Sequence, residues 1–113
     1  MKHVALALMF LIQPVVQAKN VFTDTEIEIN RMFFYSTQEP LNLAFSGMVQ
    51  IDFGTIPWAQ ATSCGTRHVM VRGEDSHIIS ALLSAQARKQ PVRIYSDDSI
   101  AHEGGCILRA VAS

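Results

Sequence analysis

The stretch Ser76–Tyr95, SHIISALLSAQARKQPVRIY, decides the fold, because it reads as one amphipathic helix running straight into one buried strand. Ile78, Ile79, Leu82, Leu83 and Gln86 recur at helical spacing, while Ser80, Ser84, Arg88 and Lys89 fall between them. The spacing predicts a helix over 76–89 with Ile78, Ile79, Leu82 and Leu83 inward. Asp75 or Ser76 is expected to supply the N-cap oxygen. Glu74 and Asp75 place negative charge at the positive end of the helix dipole, and Arg88 and Lys89 place positive charge at the other. Pro91 has no amide hydrogen and disfavours helical geometry at Gln90, so the helix must end there. Val92, Ile94 and Tyr95 resume as strand.

Working outward, the remaining apolar runs are short and alternate like strands. Phe45–Phe53 (FSGMVQIDF) is read as a first strand ended by Gly54, and 56–63 as a weaker second strand interrupted by Pro57. Arg67–Arg72 (RHVMVR), between Gly65 and Gly73, is the third. Pro91–Tyr95 is the fourth, 96–105 a loop, and Cys106–Ala112 (CILRAVA) the fifth. Three strands, a helix and two more strands is the order of a five-stranded OB-like barrel, mainly β with its one helix between strands 3 and 4. Upstream, residues 19–43 are harder to read. Ile27 and Ile29 alternate with Glu26, Glu28 and Asn30, and Met32–Tyr35 is a dense apolar patch. An edge strand, a short helix and a flexible arm all fit this segment, so the binding domain proper is drawn at 44–113.

Residues 1–18, MKHVALALMFLIQPVVQA, have the layout of a secretory signal peptide. Lys2 gives a basic start, Val4–Ile12 is an unbroken apolar run, and Val16-Gln17-Ala18 offers a cleavage site. The competing readings are a core helix or a membrane anchor, but the run is shorter than the roughly 20 residues a bilayer span needs. The expected location is therefore secreted or periplasmic. Removing this segment, and Lys2 with it, leaves 95 of the 113 residues and a formal charge of −2. A weak negative charge gives no footprint for nucleic acid or an anionic membrane surface. Cys64 and Cys106, an even count in a small exported chain, are expected to form a disulfide; unrelated thiols or half a metal site are the rivals.

Two short pieces carry a resemblance. QPVRIY at 90–95 and FSGMV at 45–49 resemble segments of the binding-subunit family typified by the B subunit of subtilase cytotoxin, an AB5 toxin. Cys64 also falls at a family cysteine position, and GGCILRAV resembles the close of small secreted relatives. The similarity covers residues 44–113. It implies an OB-like protomer, a homo-oligomer of pentameric form, binding of sialylated cell-surface glycans, and a toxin A subunit as a partner. It also implies that Ser46, in the FSG segment, reads the sugar, with Asn42 nearby. The family tyrosine after RIY is Ser96 here, and the long segment before Ala44 has no family counterpart.

The residues themselves offer a binding module more than an enzyme. A lone Trp58 beside Pro57 is placed to stack on a sugar ring or to fill the core. Ser46, Asn42, Trp58 and Ser96 are the candidate glycan contacts. No nucleophile elbow or paired base accompanies Ser46 or Ser63, and no cofactor motif is visible, so no catalysis is expected. His68, His77 and His102 have no metal-ligand spacing and read as solvated or core histidines. The remaining alternative is a small secreted OB-like protein with a structural role.

Overall fold

The computed structural model describes residues 20–38, 45–102 and 105–113. Among these residues the chain is mainly β, with six strands and one helix in the order β1 (Asn20–Phe22), β2 (Arg31–Phe34), β3 (Met48–Asp52), β4 (His68–Arg72), α1 (Ser76–Ala87), β5 (Arg93–His102) and β6 (Gly105–Ala112). They form one mixed sheet in the order β1-β5-β6-β4-β3-β2. Every neighbouring pair is antiparallel except β4 and β6, which run parallel through Met70 and Ile107.

The sheet is open, with β1 and β2 at its two edges, and both edges lie on the single run 20–34. Between them, Ile27 and Val92 exchange backbone hydrogen bonds of 2.8 Å in each direction. This run therefore leaves β5 and crosses to β3. Its alternation is real: Ile27 and Ile29 pack against the core, whereas Glu26, Glu28 and Asn30 are exposed. Between the two strands the pairing is reduced to isolated bridges, at Thr23 and Ile27, which is why periodicity alone does not fix the state of this segment.

Two strand expectations are corrected. Residues 56–63 do not form the second strand. Pro57 has no ladder donor, and the segment is held instead by isolated bonds, Ile56 N–H to the Thr66 carbonyl at 2.6 Å and Ala59 N–H to the Phe22 carbonyl at 2.8 Å. The third strand of the β2–β3–β4 meander comes from upstream, at Arg31–Phe34. Second, β5 does not stop at Tyr95 but runs on through the expected loop to His102. Its register against β6 shifts between Tyr95 and Ser96 and again before Ala101, so residues 97–100 bulge from the β6 side of the ladder where β6 has only Ile107, while Asp97 still pairs with Asn20 of β1. Asp97 caps that bulge, its carboxylate accepting the Ser99 amide at 2.9 Å and the Ser99 hydroxyl at 2.7 Å.

Helix α1 lies where the spacing predicts, ending at Ala87. It packs Ile78, Leu82 and Ala85 into a core with Val49, Ile51, Phe53, Ile56, Val69, Val71, Val92, Ile94 and Leu108. Leu83 was expected inward but is 42% exposed. The buried stripe is narrower than the sequence's apolar stripe, because Leu83, about 100° round the helix from Leu82, meets solvent. The expected side-chain N-cap is also missing: Asp75 occupies the cap position without a side-chain bond, and only its carbonyl accepts the first helical amides. The other end is tightly closed. Gln90 N–H donates to the Ala85 carbonyl at 2.8 Å and Lys89 N–H to the Gln86 carbonyl at 3.1 Å, a Schellman arrangement with Lys89 in the left-handed region at φ 51°.

Cys64 and Cys106 are joined as a disulfide, with Cα atoms 5.3 Å apart. It forms a small second cluster with Val21, against which Trp58 packs. The bond ties the irregular 56–66 segment to β6. Closing a loop of 42 residues is worth about 4 kcal/mol in the chain-entropy account.

Candidate functional site

The face of the sheet away from the core carries the most functional chemistry. Met32 packs inward, so alternation turns Arg31, Phe33 and Tyr35 outward. Phe33 and Tyr35 stack with ring centres 6.5 Å apart, and Tyr35 meets Phe45 at 4.9 Å. The Arg31 guanidinium lies 5.3 Å over the Phe33 ring. The Tyr35 hydroxyl donates to Gln50 Oε1 at 3.3 Å, from the neighbouring strand β3. The result is a row of three half-buried aromatic rings edged by a cation and a carboxamide. Such rings present apolar faces for C–H contacts while the polar groups orient a ligand.

Ser46 stands beside this row, immediately after Phe45. Its hydroxyl donates to the backbone of the preceding loop, 2.5 Å from the Thr37 carbonyl and 3.4 Å from that of Ser36. The Gly47 amide also donates to the Ser36 carbonyl at 3.0 Å. The single hydroxyl proton of Ser46 is thus committed to holding the loop, leaving its lone pairs to accept. The segment Phe45-Ser46-Gly47 leads into β3, the middle strand of the β2–β3–β4 meander rather than its first.

The other expected contacts are elsewhere. Trp58 donates its indole N–H to the Gly65 carbonyl at 3.0 Å, bridges to Thr23 and packs on both hydrophobic clusters. It fills space around the disulfide. Ser96 is fully buried, paired in register with Val21 and Leu108, and its hydroxyl has no hydrogen-bond partner among the described residues. Asn42 lies outside the described residues. Among the described residues, Ser46 is therefore the one candidate that the fold brings beside the aromatic row. Phe33, Tyr35 and Arg31 were missed as a group. Their signal was the two-residue spacing Arg31, Phe33, Tyr35, hidden in a patch where Met32 and Phe34 made every position look apolar.

His68, opposite Asp52, closes the same face further along β4. Its imidazole rests against Gly105, where an added side chain would come within 2.8 Å of the ring, and its Nε2 is buried without a partner among the described residues. Among the described residues no three His, Cys, Asp or Glu side chains gather as metal ligands. Among them, too, no helix is long and apolar enough to cross a membrane.

No protein-family model, no curated protein and no solved structure matches the chain.

Proposed function

We propose that this chain is an exported, non-catalytic glycan-binding module of OB-like architecture. The observation that carries this reading is the aromatic row of Phe33, Tyr35 and Phe45 with Ser46 at its end. Counting 20–34 as one long first strand, the connectivity is a three-stranded meander, a parallel β4/β6 pair, a helix before β5 and a closing hairpin. That order supports an OB-like reading, and in OB folds the face of the second and third strands, with the loops beside it, takes oligosaccharides and oligonucleotides. Here those strands are β3 and β4; the row stands beside them, on β2 and the turn that leads into β3, and reaches β3 through the Tyr35–Gln50 hydrogen bond. The net charge disfavours a nucleic acid on that face.

The resemblance of FSGMV and QPVRIY to the subtilase cytotoxin binding subunits supports a sialylated glycan as ligand, a pentameric ring as the assembly and a toxin A subunit as partner. Single protein–sugar contacts are weak, so a ring displaying several copies gives avidity that one copy lacks. The disulfide is compatible with the secreted or periplasmic location that the leader-like first 18 residues imply.

A glycan array on the wild type, Ser46→Ala and Phe33→Ala tests the reading, with light scattering for the assembly. Binding of sialylated glycans by the wild type and its loss in Phe33→Ala is the expected result. Absence of binding by a folded wild type overturns it and leaves a structural role for the module.

A further inference from the structure

A second concavity lies on a different part of the molecule, between the end of α1 and the run that links β1 to β2. It has a volume of about 380 Å³ and is lined by Glu28, Ile29, Asn30, Ala85, Gln86, Lys89 and Gln90. We propose that this groove is a separate binding site for one neutral sugar ring, independent of the aromatic face.

Five of the seven residues are polar, and three of those are carboxamides. A carboxamide offers a donor and an acceptor side by side, the pattern that neighbouring sugar hydroxyls match. Ile29 and Ala85, both packed into the core cluster, make an apolar floor for the C–H face of a ring. Glu28 and Lys89 bring one charge of each sign, and no ion pair joins them among the described residues. The charges balance, so the field favours an uncharged ligand rich in both donors and acceptors. The volume falls within the roughly 300–1,000 Å³ of small-molecule sites.

Two backbone features hold the groove in shape. Asn30 lies over Gly54, whose φ of 82° excludes ordinary side chains; an added Cβ there would come 2.8 Å from the Asn30 amide nitrogen. Lys89 occupies the left-handed position that ends α1, where glycine is the unstrained choice. Strain at a residue that lines a groove is a ground for giving its side chain a role in contact. The Gln90 and Lys89 amides are pinned to Ala85 and Gln86, so the helix end that presents Gln86, Lys89 and Gln90 is fixed before any ligand arrives.

The test is an NMR titration of the ¹⁵N-labelled protein with methyl glycosides of glucose, galactose, mannose and N-acetylglucosamine at millimolar concentrations. At least one should move the amides of Asn30, Gln86, Lys89 and Gln90. Lys89→Gly should raise Tm by roughly 2–8 °C, because it relieves the left-handed strain, yet weaken that binding at least tenfold. Gln86→Ala should weaken it too, and Ser46→Ala should leave it unchanged. Wild-type affinity in Lys89→Gly, shifts confined to residues 45–47, movement of the groove amides only by a zwitterion such as glycine, or no response to any sugar would each overturn the proposal.

Discussion

Gly73 and Gly47 meet backbone to backbone, and a methyl group on Gly73 would overlap the Gly47 carbonyl oxygen. Gly73 is the turn between β4 and α1, whereas Gly47 ends the loop that Ser46 holds. The packing of the helix and the position of the candidate site are thus coupled through one contact between two turns. Gly73→Ala is expected to destabilise by about 1–3 kcal/mol, since backbone rather than a flexible side chain must move. Its amide shifts should extend to residues 36–47. A neutral variant with unchanged spectra would break the coupling.

Leu82 and Leu83 are neighbours with opposite fates, the first fully buried and the second 42% exposed. Leu82→Ala should lose about 2–5 kcal/mol in denaturant unfolding. Leu83→Ala should stay within about 0.5 kcal/mol. Equal losses would place Leu83 in the core.

The buried hydroxyl of Ser96 has been taken from water without a partner in return among the described residues. Ser96→Ala is therefore expected to be neutral or to stabilise by up to about 1 kcal/mol. A loss above that size would mean that the hydroxyl is bonded.

The disulfide prediction is direct. Peptide mapping without reduction should recover Cys64 linked to Cys106. Replacing both cysteines with serine should lower stability by about 4 kcal/mol, most of what a domain of this size holds.

Much of the architecture was legible, and the failures share a cause. The α1 boundaries, β3, β4 and β6 announced themselves through periodicity bounded by glycine or proline. Residues 20–34 did not, because their two strands face different partners and are separated by a stretch held only at isolated points, Thr23 against Trp58 and Ile27 against Val92. Residues 56–63 had a strand-like composition, but Pro57 and the tether at Cys64 outweigh local preference there. For the site, a short motif led to Ser46, while Ser96 and Trp58 were polar or aromatic residues whose burial depends on distant strands. Exposure is a tertiary property that spacing does not encode.

The edge strand β1 also imposes an order of events on folding. Asn20 is among the first described residues of the chain, yet its partner in the ladder is Asp97. While the chain is being made or exported from its N-terminus, this strand has nothing to pair with until nearly the whole sequence has emerged. Cys64 waits similarly for Cys106. Contacts so distant in sequence make for slow folding, on the millisecond-to-second scale typical of non-local β topologies. On the exported reading proposed above, such a chain would cross a membrane pore unfolded and close on the far side, where an oxidising compartment would also seal its crosslink.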